Sequence, residues 1–423
     1  MAASPGFAER IESARVGVRL AIVCVFITML PALAVAGGLG IAPALAIVGV
    51  VTFAAGLARR GEGRAPLEPW VWAVLLFSLW ALTSSLWSRY PLPEGVGVFG
   101  SNPVKLVIGL LLYTVAAGGI LFSAHRKPRL LQHLALAAVV LLVGLGTVDF
   151  ATHHGLSFAL DPINDGEDPA KKLADAEMNA GHALTVVLPL LPAAVIGIWR
   201  VGRPYGRIVQ WASSALLAFS FLIAVFTSQL WVMLIGACVC AVAIGLAALF
   251  PRGGVIAAFG SAAAMLIGAP LIGRLAAGLS DATKAGLPFS WEHRIESWAY
   301  VTERVVERPL TGHGFDAVRT MDATMEMRGF DMSLVSLHPH NAGLHIWVET
   351  GAIGVGLAVV ALILLARRAL DWCGADRMRA MAVAGLTAAI TIVASVSYGV
   401  WQEWWWATVF AACALTPVLM REA

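Results

Sequence analysis

Apolar runs of about twenty residues recur along this 423-residue chain, separated by short polar connections. A helix needs about that length to cross a bilayer. The pattern predicts spans near 17–36, 40–57, 68–86, 104–122, 131–150, 180–198, 210–228, 230–249, 255–272, 341–366, 381–399 and 403–420. The reading is an all-α polytopic membrane protein of about twelve transmembrane helices. It divides into helices 1–9 over 1–272, a long helical loop over 273–340, and helices 10–12 over 341–423.

Alternate connections are basic: Arg10, Arg15 and Arg19, then Arg59, Arg60 and Arg64, then Arg126, Lys127 and Arg129, then Arg200, Arg203 and Arg207, then Arg252, then Arg367, Arg368, Arg377 and Arg379, then Arg421. The positive-inside rule places these in the cytoplasm, with both termini, and puts the 273–340 loop in the periplasm. Trp70, Trp72, Trp199, Trp401, Trp404, Trp405 and Trp406 stand at span ends and are read as an interfacial belt without chemistry. The first apolar run lacks a cleavable exit and is read as a retained span.

Composition agrees: 59% of residues are hydrophobic, 13% are charged, and mean hydropathy is +0.80. A formal charge of +3 gives no nucleic-acid signal. Cys24, Cys238, Cys240, Cys373 and Cys413 form neither a disulfide framework nor a zinc spacing. No cofactor or metal is expected. The acidic outer loop with Asp161, Asp165, Glu167 and Asp168 reads as a solvated connection.

Candidate chemistry gathers at one membrane face. Residues 338–351 read His-Pro-His-Asn-Ala-Gly-Leu-His-Ile-Trp-Val-Glu-Thr-Gly. Pro339 favours an extended neighbour, so a helix starts near Asn341 as N-cap. Asn341, His345 and Glu349 then share a face. His338 and His340 precede the helix near its positive end, which keeps imidazole neutral and fit for a general base. His338, further out on the approach, is assigned as base, and His340 as its structural neighbour. Residues 288–309 predict a helix capped by Ser290 and stopped by Pro309, with a stripe of Trp291, Ile295, Trp298, Val301, Thr302 and Val305. Arg294 falls inside that apolar sector, where a charge needs a partner or an anion. Gly312 and Gly314 predict a tight turn. Residues 316–337 read as helix and loop with nothing specific. Arg89, Lys105, Asn179, His182 and the Thr227-Ser228-Gln229 turn lie at the same face. The cavity they would line is basic and suits a phosphate-bearing lipid.

The order of motifs resembles the lipopolysaccharide O-antigen ligase family, related to O-antigen polymerases and protein O-oligosaccharyltransferases. The matching pieces are Ser84-Ser85-Leu86-Trp87-Ser88 with Pro91, Asn179, Arg294 with Trp298, Pro309-x-x-Gly312-x-Gly314, His338-x-His340-Asn341-x-x-Leu344 and Glu349-x-Gly351. One departure is Thr227-Ser228-Gln229, where many members carry Ser-x-Ser-Arg. The resemblance implies an inverting, metal-independent C-type glycosyltransferase. It would move polysaccharide from undecaprenyl pyrophosphate to a sugar hydroxyl of the lipid A core, at the periplasmic face of a bacterial inner membrane. His338, His340 and Arg294 are then the catalytic candidates. Arg294, Lys105, Gln229, Arg89, Asn341 and Glu349 are the substrate-binding ones. An O-antigen polymerase or a protein transferase shares donor and base and differs in acceptor. A polysaccharide-lipid flippase would need charges at mid-membrane.

Overall fold

The computed structural model describes residues 7–57, 67–90, 101–160, 168–228, 230–335 and 337–421. Its helices are α1 (Phe7–Val35), α2 (Ile41–Leu57), α3 (Pro69–Ser84), α4 (Asn102–Arg126), α5 (Pro128–Ala151), α6 (Gly155–Leu160), α7 (Pro169–Val201), α8 (Arg207–Ser228), α9 (Trp231–Leu249), α10 (Pro251–Ile267), α11 (Ala269–Ala277), α12 (Asp281–Ala285), α13 (Phe289–Glu307), α14 (Ala342–Cys373), α15 (Arg377–Val396) and α16 (Glu403–Leu419). Every expected apolar run is helical. Yet among the described residues nine helices are long and apolar enough to cross a membrane, or ten if α10 and α11 form one bent span. The expected count of twelve also included α2 and α16. Each has 17 residues, about 25 Å at 1.5 Å per residue, short of a ~30 Å hydrocarbon core.

The ninth run breaks at Gly268, and α11 leaves α10 at 61°. Pro270 lacks the N–H a continuous helix would use. Helix α7 is the most enclosed, with 72% of its apolar window buried. By contrast, α8 leaves Ile208, Phe219 and Phe226 outward, as a lipid-facing helix does. At one end of the bundle the basic connections meet: Arg200 pairs with Asp376 and donates to the Met420 carbonyl, and Arg421 donates to the Ala124 carbonyl.

The other end carries the α13 platform. Helix α13 starts at Phe289 with Pro288 at the cap position, so Ser290 is not the expected N-cap. Its stripe is as expected, with Ile295, Trp298, Val301, Thr302 and Val305 buried. Residues 316–337 are not a helix and loop. They form a tight turn over 317–320 and an antiparallel hairpin, β1 (Thr324–Met327) with β2 (Phe330–Ser333). Arg328 and Gly329 at its tip both have positive φ, the geometry of a two-residue hairpin turn.

Helix α14 is interrupted at Gly351, with φ 65° and ψ −168°. An interrupted helix frees carbonyls before the break and amides after it, and these must be satisfied inside the bundle. The Pro309–Gly314 segment satisfies them. His313 and Gly314 donate their amides to the carbonyls of Val348 and Glu349, and Ala352 and Ile353 donate theirs to those of Pro309 and Leu310. Trp80 Nε1 donates to the Thr350 carbonyl, and Trp87 Nε1 to that of Gly312. The backbones come so close that a Cβ on Gly312 would lie 2.3 Å from the Glu349 carbonyl carbon. The tight turn therefore serves to splice the loop into the broken helix.

Candidate active site

Asn341 caps α14 as the sequence predicts, its Oδ1 accepting from the Leu344 amide at 3.0 Å. Trp298 on α13 donates from Nε1 to the Pro339 carbonyl at 2.7 Å, tying the His338–His340 stretch to the platform. Tyr398 and its neighbours, between α15 and α16, close the stretch from the other side. His340 has φ 52°, a conformation unfavourable for a residue with a side chain. Two contacts hold it there. Its amide donates to His338 Nδ1 at 3.2 Å, and its own Nδ1 donates to the Ser397 carbonyl at 2.6 Å.

These bonds fix the tautomers. A carbonyl only accepts, so His340 carries its proton on Nδ1 and keeps its lone pair on Nε2. Among the described residues no group bonds that Nε2. Burial, with Arg294 and His293 nearby, pushes the His340 imidazole down to about 4. His338 is arranged differently. Its Nδ1 lone pair is taken by the His340 amide, so its neutral form carries the proton on Nε2. That atom lies 3.4 Å from the Gln402 side-chain nitrogen, while Gln402 Oε1 is buried without a partner. Turning the Gln402 amide over gives His338 Nε2–H donating to Gln402 Oε1. Burial and the neighbouring His340 push His338 down to about 2. With the amide turned this way His338 has both nitrogens engaged, and the free lone pair belongs to His340.

Arg294 lies one turn before Trp298, on the same side of α13. Its Nη1 donates to the Ser290 carbonyl at 2.8 Å, and its guanidinium carbon sits 5.5 Å from the Trp291 ring centre. Its Nε is buried without an acceptor, and among the described residues no carboxylate pairs with it. Burial disfavours its charge, an effect partly relieved by Tyr398. A half-buried guanidinium with its Nε unpaired and donors to spare calls for an anion.

Glu349 is not where the substrate-binding expectation put it. It is fully buried. One oxygen accepts from the Asp316 amide and Trp401 Nε1; the other accepts from the Val318 amide and stands 3.3 Å from His345 Nε2. Asn341 is likewise spent on its cap, 3% exposed. Lys105 and Arg89 are exposed at the same end of the bundle, outside the cleft lining. Gln229, Pro91, Asp161, Asp165 and Glu167 lie outside the described residues. Asp168 caps α7. The tryptophan belt also needs correction. Trp401, Trp404 and Trp405 are buried, and Trp401 stacks on Phe315 at 4.6 Å, because Glu349 and the 316–318 turn draw the α15–α16 connection inward.

Beside His338 opens a cleft of about 390 Å³, its polar wall made by Asn102, Asp316, Arg319, His338, Gln402 and Glu403. Sequence reasoning missed Asn102, Asp316, Arg319 and Gln402. They come from three separate segments, and only a long-range contact such as Asn102 Nδ2 to Asp316 Oδ2 at 2.6 Å joins them.

Residues 205–359 match the family model described as O-Antigen ligase. Among curated proteins, a putative polysaccharide ligase of Rickettsia bellii (strain RML369-C) is 32% identical over 148 residues, 34% of this chain and 36% of its own length. Putative polysaccharide ligases of Rickettsia prowazekii (strain Madrid E) and Rickettsia typhi (strain ATCC VR-144 / Wilmington) are 30% and 31% identical, each over 27% of this chain and 28% of their own. The chain thus aligns with about a third of the length of these relatives. No solved structure matches it. The matched segment holds Arg294, both histidines and the break at Gly351, and over that segment the chain is similar to the O-antigen ligase family.

Proposed function

We propose that this chain transfers a preassembled polysaccharide from undecaprenyl pyrophosphate to a sugar hydroxyl of the lipid A core, at the periplasmic face of a bacterial inner membrane. The observation that carries this reading is His340: an imidazole with Nδ1 fixed on a carbonyl, Nε2 free, and an unpaired Arg294 within electrostatic reach. His340 Nε2 takes the proton of the acceptor hydroxyl. The acceptor oxygen forms its bond to the anomeric carbon as the bond to the pyrophosphate oxygen breaks, which inverts that carbon. The electron pair leaves with the lipid pyrophosphate, and Arg294 stabilises its charge with planar, two-pronged contacts. The proton on His340 then passes to solvent. His338 holds the His340 backbone and does not touch the hydroxyl.

The test is transfer by the purified protein from lipid-linked O-antigen to rough lipopolysaccharide. His340→Gln should lose about 10²- to 10⁴-fold in rate, the usual contribution of a positioned base, while donor binding is kept. His338→Asn, which still offers an acceptor to the His340 amide, should lose far less. Normal transfer by His340→Gln would remove the base. Lipid movement with no covalent product would replace the enzyme with a transporter.

A further inference from the structure

Arg319 is a cation that the reaction above does not use. It stands in the wall of the same cleft as His338, whereas Arg294 lies outside that lining. Its Nε donates to Asp316 Oδ1 at 3.0 Å, and its guanidinium carbon sits 5.8 Å from the Tyr90 ring centre. Asp316 is itself fixed. Its other oxygen accepts from Asn102 at 2.6 Å, its amide donates to Glu349, and it is 2% exposed. The fork of Arg319 is therefore held from its Nε edge. Among the described residues no other side chain or carbonyl engages its two Nη atoms, and the side chain keeps 34% exposure.

The rest of the wall suits a sugar. Asn102 and Gln402 offer planar amides, and Glu403 offers a carboxylate that accepts from hydroxyls. Asp316 is turned away into its own partners, and burial with Glu349 raises its pKa, so it weakens Arg319 less than a free carboxylate would.

We infer that this cleft is the acceptor subsite and that Arg319 recognises a carboxylate or phosphate on the acceptor glycan through its two free Nη atoms. The inference rests on the transferase reading, in which Arg294 and the donor pyrophosphate occupy the α13 side of the histidines. Arg319 is then a specificity residue, selecting acidic over neutral acceptors.

The test uses the full chain in nanodiscs and a core oligosaccharide bearing phosphate and carboxylate, in two forms. One is as isolated; the other has been treated with phosphatase and carboxyl-reduced. Binding is measured without donor, and transfer with the matching lipid-bearing acceptors. The wild-type chain should bind the acidic form about 10- to 100-fold more tightly, the value of a charge-assisted contact. Arg319→Gln should bind both forms alike, with KM for the acidic acceptor raised and kcat little changed. Arg319→Lys should keep part of the preference, since it keeps the charge without the fork. It also guards against misfolding of the glutamine variant. Arg294→Gln should keep the binding preference although transfer is lost. A preference that survives Arg319→Gln, its absence in the wild type, or loss of donor binding in Arg319→Gln would overturn the inference. A clear binding preference with no transfer to either acceptor would instead unseat the transferase reading and leave the subsite standing.

Discussion

At the scale of single residues, His340 makes the sharpest prediction. Its imidazole titrates at about 4, where an ordinary one titrates near 6.5. As the proposed base it would stay unprotonated well into acid, so the transfer rate should be flat from pH 8 to about 5 and fall only toward 4. An acid limb with an apparent pKa near 6.5 would contradict this environment. Stability follows the same displacement. Below 6.5 the unfolded chain protonates this imidazole while the folded chain does not, down to about 4. The unfolded state then binds more protons, so the stabilisation is complete above pH 6.5 and is lost progressively as pH falls through that window. The sequence brought both histidines forward but ordered them by distance from the helix. What decides between them is a carbonyl 57 residues away, at Ser397, and an amide-to-imidazole bond across Pro339. Neither leaves a trace in spacing.

At the scale of elements, the break in α14 governs the geometry. Gly351 occupies a region of backbone space open in practice only to glycine, and a Cβ there would lie 2.3 Å from the Leu310 carbonyl. Gly351→Ala should cost at least about 1–3 kcal/mol from the backbone alone, with more from the clash. Gly356→Ala, on the same helix with nothing within 4 Å of its Cβ, should be neutral or stabilising by up to about 1 kcal/mol. Equal effects in a thermal or denaturant melt would argue against the break as described. The Glu349-x-Gly351 and Pro309-x-x-Gly312-x-Gly314 spacings were visible in the sequence, and so was the close approach their glycines permit. That the two motifs complete each other's hydrogen bonds was not visible, because a helix break is a relation between segments. The hairpin at 324–333 was missed for a plainer reason. Its burial follows no simple alternation, with Met327 alone buried in β1, so the period-two signal of a half-buried strand is absent.

For the whole molecule, alternation of basic connections predicts a topology, and the meeting of Arg200, Asp376 and Arg421 at one end agrees with it. Phosphatase reporters fused after residues 320 and 400 should be active outside the cytoplasm, and one fused after residue 374 inactive. Activity at 374 would reverse the scheme, and loss of activity at 400 alone would make α15 a helix that does not cross. Hydrophobic runs made the helices legible, because burial in lipid and burial in protein both demand apolar residues. They did not show which helices are central. Trp401, Trp404 and Trp405 resembled surface anchors until Glu349 gave Trp401 a buried partner. The splice at Gly351 has a further consequence, for synthesis. Pro309–Gly314 leaves the ribosome before α14, and chains fold as they emerge. On the topology that the basic connections predict, the loop is already across the membrane when α14 arrives with its interrupted ladder. A chain stalled in translocating that loop would present α14 to lipid with four bare peptide groups, so on this topology export of the loop would be a checkpoint on insertion of the helix that follows the two histidines.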